Sequence, residues 1–173
     1  MQIKTEHFSA RQNLLFYLPN GFYPFGAKII EKETGYESEF LKILLNIDGV
    51  KRCLLTPELL AVAYEQNANP QDIKALVLAE IDDYSETPPS FNITEELPLN
   101  RQSLEAISDA FIRPTLYRDG GDIEIIDLKD NILHLRFVGK CSGCPYAQNT
   151  LNNVIIKVLK KYLPQIEQVV TEE

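Results

Sequence analysis

The stretch SETPPSFNITEELPLN, Ser85 to Asn100, sets the strongest limit on what this chain can fold into. It holds three prolines, three glutamates and no basic residue. Proline fixes φ and lacks an amide donor, so a Pro-Pro pair disfavours helix, and the sparse apolar residues give little to pack. The stretch reads as a linker. The 173 residues therefore divide into two small domains, 1–84 and 101–173, joined by 85–100. As flexible coil such a segment spans ~20 Å on average, more where proline stiffens it, which would let the domains move relative to each other.

Before the linker, Leu14 to Leu18 (LLFYL) reads as a strand, and Tyr36, Phe40, Ile43, Leu44 and Ile47 recur at helical spacing until Asp48-Gly49. VKRCLLTPELLAVAY then gives two strand-like runs around Thr56-Pro57-Glu58, with Leu60, Val62 and Tyr64 on one face. Asn69 caps a helix with Pro70 at its first position and Ile73, Leu76, Val77, Ile81 and Tyr84 as its apolar stripe. After the linker, Asn100 caps a helix through Leu104, Ile107, Ala110 and Phe111 that is expected to end near Pro114. The strands IEIIDL and ILHLRFV meet through Lys129-Asp130-Asn131, and the second ends at Gly139. Thr150, Leu151, Val154, Ile155, Val158, Leu159 and Tyr162 then follow a helical period, with a last strand at IEQVV. The fold class is α+β: two small α/β-sandwich-like domains, the C-terminal one in the order α-β-β-α-(β).

Charge and cysteine count exclude several functions. A formal charge of -8 argues against a sequence-independent grip on nucleic acid. Apolar runs such as FLKILLNI are interrupted by polar positions at helical spacing, so no membrane span is expected. Three cysteines are an odd number for a disulfide framework, and no secretory leader pattern opens the chain, which suits a reducing compartment. Asp82-Asp83 and Glu95-Glu96 read as solvated charge, and two histidines in unpromising contexts make no catalytic set. We expect no enzyme of the hydrolase kind.

The chemistry lies in VGKCSGCP, where Cys141 and Cys144 stand three positions apart between a strand and a helix. Free backbone amides and the helix dipole at such a turn favour thiolate over thiol, and the surrounding serine, glycine and lysine predict partial exposure. Zinc sites and the common iron–sulfur clusters take four protein ligands, and this pair supplies two. Cys53 sits in a strand beside Leu54 and Leu55 and reads as a small buried apolar residue. His134 reads as solvent-facing and His7 as part of an irregular N-terminal segment, and neither has metal-ligand spacing to the pair. A second copy of the chain is the economical source of the missing thiolates. Soft thiolates select zinc or iron–sulfur, and spacing alone does not choose between them. A thioredoxin-type dithiol centre shares the spacing, but Pro145 follows the second cysteine instead of lying between the two, and no parallel β-α-β pattern surrounds it.

FIRPTLYRDGGDIEIIDL, ILHLRFVGKCSGCP and TLNNVIIKVLKKYLPQIEQV together resemble the C-terminal domain of the NifU-like (Nfu) iron–sulfur cluster proteins over residues 102 to 170. Ile112-Arg113-Pro114, Asp119-Gly120-Gly121-Asp122, Gly139, the C-x-x-C-Pro unit and Thr150-Leu151 carry the likeness. IKTE, LLFYLP, LLNIDGV and the helix after Pro70 resemble the Nfu N-terminal domain. The resemblance implies a scaffold or carrier, not an enzyme, with Cys141 and Cys144 as ligands of a labile 4Fe-4S cluster. The cluster would bridge a homodimer, arrive from an upstream donor and pass to apo iron–sulfur proteins. A bacterial cytoplasm, or alternatively an organelle matrix, would be the compartment. The dithiol oxidoreductase and a zinc-bridged interaction module are the competing readings. Tyr146-Ala147, Val154 and Ile156 depart from the family's usual small hydroxyl residues, glycine and glutamate, and HFSARQ lacks its usual prolines and asparagine. RDGGD has too few oxygen ligands for calcium and no lysine for a phosphate loop, so it reads as a glycine turn.

Overall fold

The computed structural model describes residues 2–32, 38–91, 96–146, 149 and 151–173. It separates into two compact units, Met1–Glu96 and Leu97–Glu173.

In the N-terminal unit, β1 (Thr5–Phe8), β2 (Asn13–Tyr17), β3 (Lys28–Glu31), β4 (Val50–Leu55) and β5 (Leu59–Tyr64) form one antiparallel sheet in the order β1-β2-β5-β4-β3. Two helices, α1 (Glu39–Asn46) and α2 (Pro70–Asp83), supply the other half of its core. Sequence chemistry explains both helix starts. Ser38 accepts from the Leu41 amide and Asn69 from the Gln71 amide, satisfying donors that a helix N-terminus leaves free. Phe40, Leu41, Leu44 and Leu45 of α1 and Ile73, Val77 and Ile81 of α2 are buried with Leu14, Phe16, Cys53, Leu60 and Val62 of the sheet. Phe40 stands edge-on to Phe22 at 5.4 Å and to Tyr84 at 5.5 Å, an arrangement that the ring quadrupole favours.

Several expectations change here. Ile43 and Leu76 are exposed, because the buried stripe of each helix is narrower than the apolar pattern, and Tyr36 lies outside the described residues. The N-terminal segment is not irregular: His7 belongs to β1, pairs across to Leu14 and holds the Tyr64 hydroxyl through Nε2 at 2.6 Å. Both ends of the proline-rich stretch are tied down. Phe91 packs edge-on against Tyr23 at 4.9 Å, and Leu97 is buried with its carbonyl accepting from Gln165 Nε2 at 3.0 Å.

In the C-terminal unit, Asn100 caps α3 (Arg101–Ile107) by accepting from the Ser103 amide. The helix does not end near Pro114. It widens into a π-helical stretch, Ser108–Ile112, and continues as α4 (Arg113–Arg118) with Pro114 in the first turn. In a regular α-helix the proline ring would strike the carbonyl four residues earlier, and the wider turn, in which the Arg113 amide donates to the Ser108 carbonyl, accommodates it.

The hairpin β6 (Gly121–Lys129) and β7 (Ile132–Gly139) turns through Asp130 and Asn131, both at positive φ as a two-residue turn of this hand requires. The strand β8 (Gln168–Thr171) joins β7 in parallel, giving the order β6-β7-β8. Ile123, Ile125, Leu133, Leu135 and Phe137 face inward, while Glu124 and Arg136 pair on the opposite face. Leu151–Ile155 is a second π-helical turn, and α5 (Ile156–Tyr162) follows, with Tyr162 stacked on Phe111 at 4.7 Å.

Candidate metal centre

The hairpin aims the cysteine loop. At the end of β7, Gly139 has φ +66°, a left-handed conformation that turns the chain back over the start of β6. The Lys140 amide donates to the Gly120 carbonyl at 3.1 Å, the Ser142 amide to the Gly139 carbonyl at 3.1 Å and the Cys144 amide to the Cys141 carbonyl at 3.4 Å. A side chain on Gly139 would also lie 2.7 Å from the Gly120 carbonyl oxygen.

The second glycine of RDGGD does more than turn the chain. Cys141 sits directly over Gly121, and a methyl added at Gly121 would run into the Cys141 sulfur and stand 2.9 Å from its Cβ. Gly121→Ala is therefore expected to displace the loop, costing ~1–3 kcal/mol as overpacking does. Thermal melts and the alkylation rate of Cys141 check this. A lower melting point with several-fold faster labelling is expected, and an unchanged pair of values would mean that the loop does not rest on Gly121.

The two residues that follow Gly121 in β6 meet a buried cation. Arg113, 3% exposed, donates to Glu105 at 2.6 Å, Asp109 at 2.7 Å, Asp122 at 3.2 Å and the Ile123 carbonyl at 3.2 Å. Burial works against the charged guanidinium, but the carboxylates of Asp109 and Glu105 more than offset it and hold the group above its ordinary value. Asp122 also accepts from the Ile123 amide, so this network fixes the first residues of β6.

Cys141 and Cys144 are free and half-buried. They line an open depression of about 440 Å³ with Arg136, Phe137 and Thr171–Glu173. Burial pushes the Cys141 thiol up, and Cys144, Asp119 and Asp122 add to it. For Cys141 this runs against the expected preference for thiolate: desolvation leads, and the negative charge nearby adds to it. Thr150, Ala147 and Gln148, where that helix was expected to begin, lie outside the described residues.

The other candidates each have surroundings of their own. Cys53 is fully buried and burial pushes its thiol up to about 12, leaving a small apolar core residue. His7 is held by Tyr64, and His134 Nδ1 meets Glu172 Oε1 at 2.9 Å. Among the described residues no group of three or more His, Cys, Asp or Glu side chains is placed to hold a metal ion. Sequence reading missed Gly121, Arg113 and Arg136. The available signals were a glycine pair where a turn needs one, and Glu105, Asp109 and Arg113 at successive four-residue steps of a helix.

Residues 105–170 match the family model described as the NifU-like domain, so the cysteine-bearing unit is a NifU-like domain. Among relatives, the "NFU1 iron-sulfur cluster scaffold homolog, mitochondrial" of Drosophila ananassae is 30% identical over 146 residues, covering 79% of this chain and 51% of the relative. That of Drosophila persimilis is 31% identical over 164 residues, covering 83% and 58%. The family model matches the C-terminal unit alone, and the likeness to these Nfu relatives extends over 79–83% of this chain. The chain spans little more than half the length of these relatives. Among solved structures, the X-ray structure of protein SAV1430 from Staphylococcus aureus superposes with TM-score 0.40 at 18% identity, covering 46% of this chain and 98% of that one. SeR13 from Staphylococcus epidermidis gives TM-score 0.38 at 17% identity, covering 48% and 98%.

Proposed function

We propose that this chain is an iron–sulfur cluster scaffold and carrier in which Cys141 and Cys144 of two copies jointly hold a 4Fe-4S cluster and release it to apo-proteins. The observation that carries the reading is the incomplete ligand set: two half-exposed thiols at an open depression, with no third ligand grouped beside them among the described residues. A cluster of this kind takes four thiolates, and a second copy related by a two-fold axis supplies the missing two. Openness serves transfer, since an incoming thiolate can replace a ligand without dismantling a closed core. The Drosophila relatives' names, as iron–sulfur cluster scaffolds, support the same reading, and their mitochondrial label favours an organelle matrix over a bacterial cytoplasm. No described helix is long and apolar enough to cross a membrane.

The dithiol oxidoreductase fares worse. Pro145 follows the second cysteine instead of lying between the two, and the pair stands at the end of the antiparallel β6–β7 hairpin instead of in a parallel β-α-β unit. The carrier performs no catalytic step of its own in this reading: its cargo arrives from a donor and leaves for a recipient.

Anaerobic reconstitution with ferrous iron and sulfide tests the proposal. A brown dimer holding about four irons and four labile sulfides per two chains is expected. A colourless dimer that takes only zinc, or a metal-free monomer that reduces disulfides, would overturn it in favour of the module or the redox enzyme respectively.

A further inference from the structure

Negative charge dominates the surroundings of the cysteine pair. The chain carries a formal charge of -8, Glu172 and Glu173 line the depression, and Asp119 and Asp122 are near enough to push Cys141 up. An iron–sulfur cluster with four thiolate ligands adds more, because the thiolates outweigh the positive charge of the iron–sulfide core. Arg136 is the one basic side chain among the described residues that line the depression.

We propose that Arg136 is the counter-cation of the cargo, held by Glu124 while the site is empty and drawn to the anionic centre when it fills, so that it sets how firmly the cluster is retained and at what potential. This rests on the carrier reading above. The geometry suits an exchangeable cation. Arg136 and Glu124 face each other across β6 and β7, on the surface of the sheet opposite the core, with Nη2 to Oε2 at 2.6 Å. Their side chains remain 43% and 51% exposed, and an ion pair so open to water binds weakly enough to be given up. Cys141 and Cys144 border the same depression, as does Phe137, the next residue along β7, whose side chain is otherwise buried. In a two-fold dimer two such cations would flank one anion. Positive charge beside a cluster favours its reduced, more negative state and resists departure of the thiolate-bound centre.

The experiment compares wild type, Arg136→Gln, Arg136→Lys and Glu124→Gln in the full chain. In loaded protein, first-order cluster loss to a chelator and the reduction potential are measured. In unloaded protein, the rate of thiol exchange with a dianionic aromatic disulfide is divided by the rate with a neutral one. That ratio reports charge near the sulfurs without any cargo. Arg136→Gln is expected to speed cluster loss by ~10-fold, lower the potential and reduce the probe ratio, with all three effects shrinking at high salt. Arg136→Lys restores most of each value, and Glu124→Gln, which frees the guanidinium, slows loss and raises the potential. A wild type that loads normally while Arg136→Gln matches it in loss rate, potential and probe ratio overturns this proposal alone. A wild type that never takes up iron and sulfide overturns the carrier reading and this proposal with it.

Discussion

Alanine at either Cys141 or Cys144 is expected to abolish cluster uptake while leaving both units folded. Each chain offers two thiols at the depression, so one substitution in each of two copies leaves two sulfurs where the cluster takes four. No neighbouring group stands ready to substitute, since His134 is engaged by Glu172 and no third ligand is grouped at the pair among the described residues. The fold should barely notice, because both side chains are half-buried in a turn and lie outside the apolar core; a change under ~0.5 kcal/mol is typical of such positions. Iron and labile-sulfide content after anaerobic reconstitution, with far-UV circular dichroism as the fold control, reads both halves of the prediction. Cys53→Ala serves as the counterpart, losing core packing and keeping its cargo. Normal cluster content in Cys141→Ala or Cys144→Ala would refute the ligand assignment, and loss of iron in Cys53→Ala would remove that residue from the core's account.

What the sequence made legible was local. Asn69 and Asn100 cap helices because a side-chain oxygen reaches an amide two or three residues on, and Asp130-Asn131 closes a hairpin within its own turn. The loop that carries Cys141 and Cys144 just after the second strand of the hairpin was legible for the same reason. The unread parts depend on residues far apart in the chain. His7 becomes a strand residue through β2 and Tyr64, and nothing within the N-terminal segment announces that pairing. The proline pattern located a break at Pro114 but did not reveal that a π-helical stretch would carry the helix past it. Gly121 was read as half of a turn, whereas its missing side chain is the space that Cys141 fills from the far end of β7. The surroundings of Cys141 are similarly non-local: burial pushes its thiol up, Cys144 adds to that, and Asp119 and Asp122 around the start of β6 add the rest.

Arg113 joins that hairpin to the helices, and its removal is expected to be the most destabilising single substitution in the C-terminal unit. Arg113→Met keeps much of the side chain's apolar stem but deletes the guanidinium that meets Glu105, Asp109 and Asp122. Asp109 is 5% exposed, so its carboxylate would lose the guanidinium it meets at 2.7 Å while staying buried. Breaking a buried pair in this way costs ~3–5 kcal/mol, a large part of the ~5–15 kcal/mol that holds a typical domain together. At roughly 4–8 °C per kcal/mol for a domain of this size, the C-terminal melt should fall by more than ~10 °C. Arg113→Lys should recover only part of the loss, because a single ammonium cannot fork to three carboxylates and a carbonyl at once. Adding Asp109→Asn to Arg113→Met should restore part of the stability relative to the single variant, since it removes a buried charge that has lost its guanidinium, and that non-additivity distinguishes a lost ion network from a simple packing defect. The consequence reaches the sulfurs through two residues: Asp122 is held by Arg113 and adjoins Gly121, on which Cys141 rests. Partly folded Arg113→Lys should therefore retain less cluster than its melting point alone predicts, and a variant that melts early yet binds iron normally would separate the buried network from the metal centre.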